Sequence, residues 1–202
     1  MKPPKAVVFD LGKVLVDFDY GITVRRLHAQ ARISEAELRR LIDQSPLLYR
    51  FETGLLTADE FFTAVREATG YRGSFSEFCE CFSDIFSPID EMIDLHARLR
   101  EQGLPTYIFS NTNDMAIGHI RREFPFFADF DGYIFSYEVG AMKPQPEIYA
   151  AMETMCGRAG ADLIYIDDRA ENIAAGAARG WRAILHQSPE KTRRALTEMR
   201  VL

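Results

Sequence analysis

Residues 6–12 read Ala6-Val7-Val8-Phe9-Asp10-Leu11-Gly12. Four apolar side chains in a row, too few for a helix and rich in β-branched and aromatic types, describe a strand buried on both faces. The run stops at an aspartate, so a carboxyl group stands at the strand's carboxyl end. Four more runs share this texture: Thr106-Tyr107-Ile108-Phe109, Tyr133-Ile134-Phe135, Leu163-Ile164-Tyr165-Ile166 and Arg182-Ala183-Ile184-Leu185. Helical patterns at about 89–102, 113–122, 145–156, 170–179 and 189–199 separate and follow them, punctuated by glycines such as Gly103 and Gly180. Strand and helix in alternation predict an α/β, Rossmann-like core with a mostly parallel sheet.

One block breaks the alternation. From 18 to about 88 the pattern is helical throughout, with stretches around 22–32, 34–48, 57–69 and 75–84 punctuated by Ser34, Ser45-Pro46, Thr57 and 71–74. Thr57 followed by Glu60 has the spacing of a capping box ahead of Phe61-Phe62. The block follows the first strand directly, which predicts an inserted helical cap domain at 18–88 over the carboxyl edge of a core made of 1–17 and 89–202.

The chain has 202 residues, 47% of them hydrophobic, enough for one core carrying a modest insertion. A net charge of −6 argues against nucleic acid and anionic membranes as partners, since both favour basic surfaces. No apolar run approaches membrane-spanning length and the first is too short for a signal segment, so the expectation is a soluble, cytoplasmic protein. Cys79, Cys81 and Cys156 read as reduced packing residues, and His28, His96, His119 and His186 lack metal-ligand spacing. Aromatic groups at 61–62, 75–86 and 124–127 read as core rather than stacking platforms. Oligomeric state leaves no mark.

In open parallel sheets ligands bind beyond the carboxyl ends of the strands. Here those positions hold Asp10-Leu11-Gly12, Ser110-Asn111-Thr112-Asn113 and Asp167-Asp168, with Lys143-Pro144 in the loop after the third strand. Asp, Ser and Asn are also ordinary helix caps and turn formers, so each motif alone has that plainer meaning. Adjacent aspartates at the end of a buried strand are harder to explain without a compensating cation or donors. Three carboxylates and no histidine pair suit a hard, oxygen-ligated ion, and Mg2+ fits.

The four motifs, in order, resemble those of the haloacid dehalogenase (HAD) superfamily: 9–17, 109–112, Lys143-Pro144 and 166–173. The insertion is similar to the helical C1 cap of its subfamily IA. Within the family the chain looks most like the bacterial α-D-glucose-1-phosphate phosphatase type, through 99–103, 110–113 and Lys143-Pro144. The resemblance implies a phosphatase acting on a small phosphorylated metabolite, such as glucose-1-phosphate. Asp10 would be the nucleophile that forms an aspartyl-phosphate, Lys143 the catalytic and substrate-binding ammonium, and Ser110 and Asn111 further substrate contacts. Asp10, the carbonyl of Gly12, Asp167 and Asp168 would hold the magnesium ion, Asp168 as principal anchor, with Asn172 supporting that shell.

One departure stands out. Most phosphatases of this family carry a second aspartate two residues after the nucleophile, acting as general acid and then base, and this chain has Gly12 there. A glucose-1-phosphate leaving group, or a substitute acid from the cap, would accommodate the loss. Glu52 is read as a surface residue of a cap turn, with a position facing the site as the alternative. Two rivals remain: a 2-haloacid dehalogenase, whose carbon-centred chemistry has no use for the Asp167-Asp168 pair, and a non-catalytic phospho-ligand-binding module, which Gly12 favours and Asp10 opposes.

Overall fold

The computed structural model describes residues 3–43 and 45–202. Met1, Lys2 and Gln44, the last of them inside the helix expected over 34–48, lie outside the described residues. The chain runs β1 (Ala6–Phe9), β2 (Val16–Phe18), α1 (Tyr20–His28), α2 (Glu35–Ile42), α3 (Pro46–Glu52), α4 (Ala58–Thr69), α5 (Phe75–Ser83), β3 (Phe86–Pro88) and α6 (Asp90–Glu101). It continues with β4 (Thr106–Ser110), α7 (Asp114–Glu123), β5 (Gly132–Phe135), α8 (Ser136–Val139), α9 (Pro146–Cys156), β6 (Leu163–Asp167), α10 (Ala170–Ala178), β7 (Arg182–Leu185) and α11 (Pro189–Glu198). No helix among the described residues is long and apolar enough to cross a membrane.

The larger sheet has the order β5-β4-β1-β6-β7, and every pairing in it is parallel. Because β1 is central, its side chains alternate between two apolar layers. Val7 and Phe9 face a cluster with Met92, Leu95 and Leu99 of α6 and Ile117 and Ile120 of α7. Ala6 and Val8 face the other side, with Ile148, Tyr149 and Met152 of α9 and with Trp181. Chain order runs from β1 outward to β4 on one side and to β6 on the other. The crevice beyond the end of β1 is therefore a topological switch point, the usual ligand site of such sheets.

Helices α1–α5 sit between β2 and β3, which pair antiparallel as a short ribbon. Neither ribbon strand was expected from the sequence, because three residues carry too little alternation to register as a strand. The helices bury their own cluster, including Leu38, Phe51, Phe61, Phe78 and Phe82, with Met115 of α7 reaching in from the core. Ser34, Thr57 and Ser74 each form a full capping box with the glutamate three residues on. The helix expected over 34–48 is two: Ser45 accepts a hydrogen bond from the Leu48 N–H at 3.0 Å and Pro46 starts α3. Phe61, Phe62, Phe78 and Phe82 are core, with Phe51 stacked on Phe61 at 4.5 Å and Phe78 on Phe82 at 5.8 Å, whereas Phe75 is exposed.

Candidate active site

β1, β4 and β6 end together, and the three loops that leave them bring Asp10, Ser110 and Asp167-Asp168 into one crevice. Lys143, from the loop between α8 and α9, fills the space between them. Its Nζ lies 2.9 Å from Asp10 Oδ1 and 2.7 Å from Asp167 Oδ2, and donates to the carbonyl of Phe109 at 2.8 Å. Only 1% of the lysine side chain is exposed, so it serves as a fixed internal counter-charge rather than a solvated surface group. Burial alone would lower its pKa, but the two carboxylates override burial and raise it, so the ammonium stays protonated.

The position of Lys143 is set from behind by Asn111. The asparagine amide donates to the Lys143 carbonyl at 3.0 Å, and its Oδ1 accepts the Lys143 N–H at 2.8 Å. Expected as a substrate contact, Asn111 thus lines the crevice while both ends of its amide clamp the lysine's backbone. Ser136 holds the same loop from the other side, accepting from the Thr112 N–H at 2.9 Å and donating to the Thr112 carbonyl at 3.1 Å. Asn113 has the plainer role: its side chain caps α7 through the Ala116 N–H. Ser110 is buried and lines the crevice, its hydroxyl 3.3 Å from its neighbour's carbonyl.

The three aspartates differ sharply. Asp167 is wholly buried and saturated: Oδ2 accepts from Lys143 and, at 2.5 Å, from Tyr165, and Oδ1 accepts from the Arg169 N–H at 2.8 Å. Asn172 adds contacts to both oxygens at 3.1 and 3.2 Å. Burial opposes its ionisation, but Lys143 and the other donors outweigh burial and hold its pKa below the ordinary carboxylate value. At Asp10, Oδ1 accepts from the Leu11 N–H at 2.7 Å and contacts Lys143, while Oδ2 receives no hydrogen bond from the described residues. Burial pushes Asp10 up to about 8 despite Lys143, with Asp167 and Asp168 adding to the rise. Asp168, half-buried, is raised by burial and by Asp167.

Ligand atoms of Asp10, Asp167 and Asp168 lie within 4.8 Å of one another. One ammonium against three clustered carboxylates leaves the crevice short of positive charge, and the Oδ1 of Asn172 is buried beside them with no partner. A divalent cation with its waters answers both deficits, and the all-oxygen donor set is the hard kind that magnesium takes. The residues therefore fit such an ion. Asp10 and Asp168 have acceptor capacity to offer it, whereas the oxygens of Asp167 are occupied by protein donors.

Above these groups the crevice opens into a cavity of about 370 Å³, a volume that suits a small metabolite. The helical block between β2 and β3 supplies Tyr20, Asp43, Leu48, Tyr49 and Glu52 to its walls. The surface reading of Glu52 is thus corrected: at the last turn of α3 it faces the cavity, where burial raises its pKa to about 7 and Arg169 only partly opposes the rise. Gly12 and Phe18 complete the lining near Asp10.

The histidines and cysteines play no part here. His96 is buried, bonded to Thr106 and stacked on Phe130 at 3.9 Å; His186 pairs with Thr192 at 2.8 Å; and His119 lies 3.4 Å from Arg122. Cys79, Cys81 and Cys156 are free thiols. Sequence reading missed Tyr165, Ser136 and Arg169. Tyr165 could have been found, since strand alternation puts it on the same side of β6 as Asp167.

This arrangement of strand-end carboxylates around one buried lysine sits on a chain whose residues 4–180 match the model of the haloacid dehalogenase-like hydrolases, and the protein belongs to that family. It is thereby a hydrolase by class. Among characterised proteins it is 27% identical over 203 residues to the D-ribitol-5-phosphate phosphatase of Bacteroides thetaiotaomicron, covering 96% of this chain and 97% of that one. It is also 27% identical to the sesquiterpene phosphatase astK of Aspergillus oryzae, over 87% of this chain and 86% of the other. A HAD family enzyme of B. thetaiotaomicron, solved with magnesium and inorganic phosphate, superposes with a TM-score of 0.80 at 26% identity, over 90% of this chain and 93% of that structure.

Proposed function

We propose that this protein is a magnesium-dependent phosphatase that hydrolyses a small phosphorylated metabolite through an aspartyl-phosphate on Asp10. The observation that carries the reading is Asp10 itself: one carboxylate oxygen pinned by Lys143 and the Leu11 N–H, the other open toward the cavity. The open oxygen attacks phosphorus, the bond to the leaving oxygen breaks, and water later cleaves the aspartyl-phosphate to release phosphate and restore Asp10.

The chain's own groups do most of the positioning. Lys143 neutralises phosphoryl oxygens as they approach a carboxylate that would otherwise repel them, and it is held rigidly by Asp167 and Asn111. The Ser110 hydroxyl and backbone N–H groups of its loop orient the same oxygens. Asp10, the Gly12 carbonyl and Asp168 would hold the magnesium ion, with Asp167 and Asn172 behind them. When bound, the ion supplies the remaining positive charge that a phosphate dianion requires. The helical block 18–88 acts as the cap that closes the cavity and selects the substrate.

The two similar phosphatases are named for a ribitol phosphate and a sesquiterpene phosphate. Both names support phosphate monoester chemistry and leave glucose-1-phosphate as one candidate within the wider class of sugar and polyol phosphates. A dehalogenase would share the fold, yet Asp168 and the Asn172 acceptor would then remain uncompensated. The test is a screen for phosphate release from sugar, polyol and isoprenoid phosphates, with magnesium and with EDTA, using Asp10→Asn as the blank. Release that needs magnesium and is absent from the variant supports the reading. Release unchanged by the substitution removes Asp10 from the mechanism.

A further inference from the structure

Resting on the phosphatase reading, we infer that Glu52, delivered from the cap, is the general acid and base of the reaction in place of the missing carboxylate at Gly12. A Cβ built on Gly12 would lie 2.9 Å from Cε1 of Phe18. The half-buried ring packs on Tyr20 at 5.6 Å and Phe86 at 5.9 Å and carries the Lys13 ammonium 4.7 Å from its centroid, so a side chain at position 12 would have to displace it. This chain offers no acidic side chain at position 12, and the Phe18 ring occupies the space beside Gly12. The proton must come from elsewhere around the cavity.

The cavity wall offers few groups able to give it. Lys143 stays protonated between two carboxylates, and Tyr20 is raised well above its ordinary value by burial and then by Glu52 and Asp43. Asp43 and Tyr49 lie on the cap side, and Lys13, Asp168 and Arg169 on the core side. Glu52 alone among the cap carboxylates combines a raised pKa with a fixed position at the end of a helix. It accepts no hydrogen bond from the described residues, and the Arg169 charge only partly opposes the rise that burial causes.

Its position is fixed by the loop that follows it. The Thr53 hydroxyl donates to the Tyr49 carbonyl at 2.8 Å and lies 3.2 Å from the Arg50 carbonyl, closing the end of α3. Gly54 then presses its backbone against α8 of the core, at a φ of +70° and so close that a Cβ would come within 2.2 Å of the Tyr137 carbonyl. Only glycine allows that approach. The cap thus docks on the core two residues after Glu52, which keeps Glu52 in the wall of the cavity.

The proton accounting closes. As Asp10 attacks phosphorus and the bond to the leaving oxygen breaks, protonated Glu52 gives its proton to that oxygen, so the product departs as a neutral alcohol. The Glu52 carboxylate then takes a proton from the water that attacks the aspartyl-phosphate. Phosphate is released, the Asp10 carboxylate is restored, and Glu52 is again protonated.

The test compares Glu52→Gln and Glu52→Asp with wild type on two substrates: 4-nitrophenyl phosphate, whose leaving group needs no proton, and an alkyl phosphate from the panel, which needs one. Glu52→Gln is expected to reduce kcat/KM about 10²–10⁴-fold on the alkyl ester and far less on the nitrophenyl ester, where a burst of nitrophenol should mark stalled hydrolysis of the phosphoenzyme. Wild-type kcat/KM on the alkyl ester should fall as pH rises through about 7, as Glu52 ionises, and this limb should be missing in Glu52→Gln. Glu52→Asp should restore part of the lost rate. Equal losses on both esters, or an unaltered alkaline limb, would overturn the inference and leave Glu52 a structural residue. Turnover by wild type that Asp10→Asn matches would instead overturn the phosphatase reading beneath it.

Discussion

The floor of this site presents a buried carboxyl group and the roof a half-buried one, and the two are handled in opposite ways. On the floor, Asp167 is bonded to Lys143, Tyr165, the Arg169 N–H and Asn172, with its pKa held down. On the roof, Glu52 accepts no hydrogen bond from the described residues, and burial raises its pKa to about 7. A saturated carboxylate cannot exchange protons near neutrality and serves as an anchor for charge. An unsatisfied one keeps its proton available. The anchored carboxylate belongs to the sheet edge and the proton-holding one to the helices between β2 and β3.

The contrast breaks most severely at Lys143. Lys143→Met leaves Asp167 as a buried charge without its counter-ion, which should destabilise the fold by about 3–5 kcal/mol and abolish phosphate release. Adding Asp167→Asn should recover much of the stability and none of the activity, as read by denaturant unfolding beside phosphate assays. If the double variant is no more stable than the single one, the ion pair is not what holds the floor together.

The roof can be broken without touching any ionisable group. Phe61 is fully buried between Phe51, Phe78 and Phe82, and Phe61→Ala should cost about 3–5 kcal/mol. Loss confined to the cap would appear as an early unfolding step with raised KM and a core that melts later. A single concerted transition would show that floor and roof fold as one unit. Gly54→Ala is a milder wedge at their junction. It should cost about 1–3 kcal/mol through the strained φ and the clash with Tyr137, and it should lower kcat more on alkyl phosphates than on 4-nitrophenyl phosphate. The smallest effect belongs to the capping boxes: Thr57→Ala should remove about 1 kcal/mol of stability with kcat unchanged, as calorimetry and rate assays on one preparation would show.

The floor was readable from sequence because each of its groups sits where an apolar run stops. Asp10, Ser110 and Asp167 follow buried strands, and parallel pairing forces their ends together. Lys143 was placed by its order among the motifs, since nothing local distinguishes a buried lysine from an exposed one. Asn111 shows the limit: the resemblance implied contact with substrate, while in the structure both ends of its amide hold the lysine's backbone. The roof was legible as helices and cap motifs but not as a surface. Whether Glu52 faces solvent or substrate depends on how α3 docks on α8, which is decided by Gly54 and the Tyr137 carbonyl far along the chain. The ribbon of β2 and β3 escaped for want of length, and with it the packing of Phe18 beside Gly12.

The most direct test of the account is to quench the protein in acid during turnover of a phosphorylated substrate with magnesium present and to map the trapped phosphoryl group by mass spectrometry. The expected result is a phosphorylated peptide containing Asp10, absent from Asp10→Asn and, with 4-nitrophenyl phosphate as substrate, accumulating further in Glu52→Gln. A wild-type enzyme that turns over rapidly with no phosphoryl group on Asp10, or with one on another residue, would contradict it.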